Sequence, residues 1–133
     1  MNKNITILIA DDNEMMSNLI KLMLERNGFK NIIEVRDGSS AFNLLKSQKI
    51  DLIIADWHME GLSGIELLQK VRADGDIGKM PFIIVSVEGL DVSIDTAFKY
   101  GVSDFISKPF KMEVLMERLS RVMEKSLSSN TIK

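Results

Sequence analysis

Three carboxylates, one hydroxyl and one ammonium stand directly behind apolar runs in this sequence: Asp11 and Asp12 after ITILIA, Asp56 after IDLIIA, Ser86 after PFIIV, and Lys108 after SDFIS. Each alone is ordinary, since an Asp or Ser behind a strand usually forms a turn or caps a helix. Together they would not be. Three acids on one edge repel, and they destabilise it unless they titrate upward or hold a cation. Hard oxygen ligands with an open coordination sphere suit Mg²⁺ or Mn²⁺. With a divalent ion and Lys108 the formal charges of such a site cancel. It could then accept a phosphoryl group, with Asp56 as nucleophile forming an acyl phosphate and Ser86 donating its hydroxyl to a phosphoryl oxygen.

Whether these groups meet depends on the elements that carry them. The runs 5–10, 31–35, 50–56, 81–86 and 103–107 read as strands. Between them lie helical patterns: Met16, Leu19, Ile20 and Met23 ending at Asn27-Gly28; Ala41, Leu44 and Leu45; a helix over 63–74 opened by the capping box Ser63/Glu66; and DVSIDTAFKYG. A last helix places Met112, Leu115, Met116, Leu119 and Val122 on one stripe. Apolar runs of this kind are buried on both faces, so the alternation predicts an α/β fold with a doubly wound parallel sheet. Ligands of such sheets bind at the carboxyl ends of the strands, where all five groups stand.

Composition narrows the function. The 133 residues fit one domain, expected over 1–125, with a polar, frayed tail over 126–133. A net charge of −2 gives no basic footprint for nucleic acid, and Arg118, Arg121 and Lys125 read as a solvated helix face. Cysteine is absent, which excludes disulfides, thiol nucleophiles and thiolate-bound metals. Neither a signal peptide nor a membrane span is visible, so a cytoplasmic protein is expected. The nine methionines read as adaptable core filling. Trp57 reads as a partly exposed packing residue beside the candidate site.

The segments ADDNEM, DWHMEGLSG, VSVEG and SKPF, in this order and spacing, resemble the receiver domain of two-component response regulators, and within it the stand-alone chemotaxis regulators. The resemblance spans roughly residues 4–125. It implies a flavodoxin-like, five-stranded sheet in the order 2-1-3-4-5, with Asp56 as phosphoacceptor and Ser86 and Lys108 as its catalytic partners. The implied metal shell is Asp12 directly, Asp11 through water, Asp56, and the backbone carbonyl of His58. Ser86 and Phe105 match the switch pair: the hydroxyl moves toward the phosphoryl group and the ring then rotates inward, remodelling the surface of the last two helices and the last strand. A cis Lys108-Pro109 bond is implied as well.

A sensor histidine kinase, a phosphatase and an output protein, the flagellar motor switch or another target, are the implied partners. The chain is expected to be a monomer and no enzyme beyond assisting its own phosphorylation and dephosphorylation. Without a DNA-binding segment, output is expected through protein contact, with a phosphate sink, a phosphorelay intermediate or a non-motor adaptor as alternatives. A hydrolase with an Asp nucleophile would want a second acid where His58 stands. A flavodoxin would want a phosphate loop where DDNEM would repel phosphate.

Several positions depart from the family pattern. Phe105 is often tyrosine there, Glu60 stands where proline is usual, and Val87 is bulkier than the common alanine or glycine. Leu90 and Asp91 replace basic residues found in some chemotaxis members. His58 and Glu88 flank the site where water would attack an acyl phosphate.

Overall fold

The computed structural model describes residues 2–87 and 91–131, so Glu88 and Leu90 lie outside the described residues. The strands are β1 (Thr6–Ala10), β2 (Asn31–Val35), β3 (Leu52–Asp56), β4 (Phe82–Val87) and β5 (Asp104–Lys108). Between and after them come α1 (Glu14–Arg26), α2 (Gly38–Ser47), α3 (Gly64–Ala73), α4 (Asp91–Lys99) and α5 (Met112–Thr131). All strand pairs are parallel, in the order β2-β1-β3-β4-β5, as the sequence predicts.

Period-two alternation sorts the strand residues between two cores. Leu8 and Ala10, Ile53 and Ala55, Phe82 and Ile84, and Phe105 face a cluster with Ala41 and Leu45 of α2, Leu67, Leu68 and Val71 of α3, and Ala97 of α4. Ile7 and Ile9, Leu52 and Ile54, Ile83 and Val85, and Ile106 face the opposite cluster with Ile20 and Leu24 of α1 and Leu115, Leu119 and Val122 of α5. Burying each such Leu or Ile contributes about 1.5–3 kcal/mol. Every residue of β3 is buried, so its carboxyl end is held from both sides.

Local signals set the helix starts. The Asn13 side chain accepts from the Met16 amide at 3.0 Å, and Asp37 accepts from that of Ser40 at 2.7 Å. The Ser63/Glu66 capping box closes with bonds of 2.9 and 3.2 Å. Along α1, Ile20 is buried and Met16 and Met23 pack against the same core as expected, whereas Leu19 is 43% exposed and Ser17 and Leu24 are buried. The hydroxyl of buried Ser17 donates to Glu34 Oε2 of β2 at 2.6 Å, which satisfies a polar residue on the inward face. Met15, 83% exposed, likewise departs from the expectation of core filling.

At the other end of the chain α5 continues to Thr131, through residues expected to be a frayed tail. Arg121 is exposed as expected and Arg118 only partly, yet both guanidiniums reach β5. Arg121 Nη2 lies 2.8 Å from Oδ2 of the buried Asp104, and Arg118 Nη1 donates to the Phe105 carbonyl at 2.6 Å.

Arg72 fastens the amino-terminal edge of the sheet. Its guanidinium donates to the carbonyls of Gly101 (2.8 Å), Gly78 (3.0 Å) and Met80 (2.7 Å), joining the segments that lead into β4 and β5. These acceptors lose a charged donor together if the side chain is cut back. Arg72→Met is expected to lower unfolding free energy by about 2–4 kcal/mol, read as a lower urea midpoint at unchanged slope.

Candidate functional site

Register and alternation bring the acids together. Ala10 of β1 pairs with Ala55 of β3, so Asp11 and Asp56 follow side by side at the carboxyl edge. Asp11 continues the face of Ile9, Asp56 that of Ile54, and Lys108 that of Ile106, all toward α1 and α5. One carboxylate oxygen from each of Asp11, Asp12 and Asp56 lies within 4.8 Å of the others. The distance is short enough for one cation to be shared. Lys108 Nζ is 2.8 Å from Asp56 Oδ1 and 4.0 Å from Asp11 Oδ2, and the Lys108-Pro109 peptide is cis.

The three acids differ in environment. Asp12 is exposed, Asp56 is 9% exposed and Asp11 only 1%. Asp11 Oδ1 accepts from the Asn13 amide at 2.9 Å, which places it at the entry to α1. Burial raises the Asp11 pKa above its ordinary 3.8; the Asn13 amide opposes this, Asp56 raises it again, Lys108 lowers it and Asp12 adds a further increase. A cation in the cluster would relieve both the burial cost and the repulsion.

Two glycines shape the mouth of the site. A Cβ on Gly64 would collide with the Asp56 carbonyl and crowd Trp57, so only glycine lets the start of α3 rest against the end of β3. The Gly64 amide donates to the Trp57 carbonyl at 2.8 Å, fixing the loop after Asp56. Gly61, at φ +76°, turns that loop, and a cleft beside it is lined by Asp12, Arg36, Asp37, Ser39 and Glu60. His58 is exposed, as is Glu60, and Trp57 packs partly buried on the α2/α3 core. Arg36 Nη1 donates to the Asp11 carbonyl at 3.4 Å, a support that sequence reading missed.

Ser86 and Phe105 occupy the other face of the sheet. Ser86, in step with Phe82 and Ile84, is 1% exposed, and its Oγ has no hydrogen-bond partner among the described residues. A hydroxyl so placed lacks the bond that buried polar groups normally make, and a phosphoryl oxygen would supply it. Phe105, expected to rotate inward only on activation, already lies inward at 5% exposure. Its ring lines a groove with Ile94, Phe98, Pro109 and Phe110. Val87 is 56% exposed at the end of β4.

Residues 7–120 match the response regulator receiver domain, which accounts for nearly the whole of this edge and its supporting elements. The chain belongs to that family. Among curated relatives it is 37% identical to the chemotaxis protein CheY-3 of Vibrio cholerae over 94% of this chain and 96% of that one. It is 38% identical to the chemotaxis protein CheY of Pseudomonas aeruginosa, covering 90% and 96%. A solved receiver domain, that of sensor histidine kinase PA1611 from P. aeruginosa, superposes with a TM-score of 0.82 at 26% identity, covering 91% of this chain and 98% of that one. In that structure a magnesium ion is coordinated in the active-site cleft. This receiver is therefore of the CheY type, and among its described residues no helix is long and apolar enough to cross a membrane.

The raised Asp11 pKa gives the receiver a pH signature. A carboxyl easier to protonate folded than unfolded costs nothing below 3.8, where both states are neutral, and its cost grows as pH rises through the folded value. In the presence of EDTA, Asp11→Asn is expected to raise the thermal midpoint at neutral pH and to leave it unchanged below 3.8. An equal shift at both pH values would assign the effect to something other than charge.

Proposed function

We propose that this receiver is a phosphorylation switch in which Asp56 accepts a phosphoryl group from a phosphohistidine of a sensor histidine kinase. The observation that carries the reading is the unpartnered Oγ of buried Ser86 at the edge that also holds Asp56, Lys108 and the acid cluster. The all-oxygen donor set of Asp11, Asp12 and Asp56 fits Mg²⁺, or Mn²⁺, and the His58 carbonyl is the further ligand that the family resemblance implies. Such an ion, when bound, would neutralise charge on the transferring oxygens.

The protein groups do the rest. The Asp56 carboxylate attacks phosphorus, forming the new P–O bond as the donor P–N bond breaks, and the departing imidazole nitrogen keeps the electron pair until it is protonated. Lys108 moves its ammonium from Asp56 Oδ1 to a phosphoryl oxygen, and Ser86 donates its hydroxyl to another. Hydrolysis of the acyl phosphate returns the carboxylate, with His58 at the rim. Output then passes to a protein that reads α4, β5 and α5, where Phe105, Phe98 and Phe110 line the groove. The flagellar motor switch is the first candidate, from the chemotaxis relatives. A phosphate sink or relay role would use the same chemistry without the output contact.

Mg²⁺ is expected to change Trp57 fluorescence, and acetyl phosphate with Mg²⁺ to change it further and to add one phosphoryl group by intact mass. Asp56→Asn should lose the phosphoryl label while keeping part of the Mg²⁺ response. Label that persists in Asp56→Asn, or that forms equally well in EDTA, would defeat the assignment.

A further inference from the structure

β5 is an outer strand of the sheet, with β4 on one side only. An outer strand leaves alternate backbone N–H and C=O groups without a ladder partner. At Phe105 both are taken by side chains. The Phe105 amide donates to Oδ1 of Asp104 at 2.8 Å, and its carbonyl accepts from Nη1 of Arg118 at 2.6 Å. Asp104 is 6% exposed, and its Oδ2 accepts Nε and Nη2 of Arg121 at 3.1 and 2.8 Å. Arg118 Nη1 lies 3.7 Å from Asp104 Oδ1. One carboxylate and two guanidiniums from successive turns of α5 thus surround the backbone of a single residue.

That residue carries the buried ring. Phe105 pairs with Ile84 in the β4·β5 register and shares the groove wall with Arg118. The clamp is short and charge-assisted, and its carboxylate is buried, while the Arg118 and Arg121 side chains are 30% and 51% exposed. Lys70, Lys99 and other surface cations lie near rings or carboxylates, but Arg118 reaches the main chain of the aromatic itself.

We propose that Arg118 is a positioning residue for Phe105: its guanidinium, steadied by Asp104 and Arg121, holds β5 so that the ring lies inward, and thereby favours the phosphorylated form. The second half rests on the phosphorylation reading above. The first half does not. By linkage, a group that helps to hold the ring in the arrangement the phosphoryl site prefers also tightens that site for its ligand. Arg118 therefore acts on Asp56 through Phe105 and Ser86, without touching the phosphoryl group.

The test uses Arg118→Met, which keeps the apolar stem and removes the donors, and Arg118→Lys, which keeps the charge but not the planar fork. In the whole chain, the nuclear Overhauser contact between the Phe105 ring and the Ile84 methyls should weaken strongly in Arg118→Met and partly in Arg118→Lys. An unchanged contact in both would overturn the clamp whatever happens at Asp56; should the Met variant fail to fold, the Lys variant carries the same reading. With beryllofluoride and Mg²⁺ as probe, followed by Trp57 fluorescence, Arg118→Met should weaken binding on the order of fivefold. In a Phe105→Ala background the same substitution should have no further effect. An equal loss in both backgrounds would show a role independent of the ring and overturn the coupling. If the unmodified chain takes no beryllofluoride, the phosphorylation reading and the coupling that rests on it fall, while the ring contact still decides the clamp.

Discussion

Lys108 and Asp56, 2.8 Å apart, hold together an edge that would otherwise repel itself. Asp11 is nearly inaccessible and Asp56 almost so, and taking carboxylates out of water is costly unless positive charge comes with them. The sheet meets that demand from four positions separated by most of the chain. β1 delivers two acids, β3 the third, and β5 returns a cation to the same face. The connecting helices need only cover the two faces; the order of the strands decides which charges meet.

The same strands serve two cores, and this explains why the site is rigid where it must be. Asp56 ends a strand whose five residues are all buried, and its carbonyl is wedged against the start of α3 at a glycine. The carboxylate proposed as nucleophile is anchored on a fixed backbone. Ser86, by contrast, sits at the end of β4 with an unused hydroxyl, beside a strand end whose last residue is exposed. The fixed group and the adjustable one stand on neighbouring strands, so a local change of charge has a short path to the α4 side.

Much of this was legible in the sequence because strands buried on both faces leave continuous apolar runs, and the groups that end those runs name the site directly. Asp11, Asp56 and Lys108 could be read that way, as could the capping box at Ser63 and Glu66. What could not be read depends on the phase between elements. Arg118 looks like part of a solvated face until α5 is set against β5, and nothing in the sequence marks the Asp104 carboxylate as buried. Arg72 reaches carbonyls whose proximity only the fold creates. Gly64 was visible as part of a helix start, but its need to lack a Cβ comes from the Asp56 carbonyl behind it. In the α1 stripe only Leu19 departs: hydrophobicity ranks it above Ser17, yet Ser17 is the buried one, with its hydroxyl bonded to Glu34.

The division of β5 between two faces constrains its length as well as its composition. Phe105 belongs to the side of α4, while Lys108, three residues on, belongs to the side of the acids. Substitution at either position leaves the faces of the strand unchanged. Insertion or deletion of one residue between them would reverse the faces of everything beyond it, moving the ammonium out of the acid cluster while the aromatic stayed in place. The connections on either side of this strand carry no such parity constraint, whereas the interval from aromatic to lysine acts as a fixed ruler.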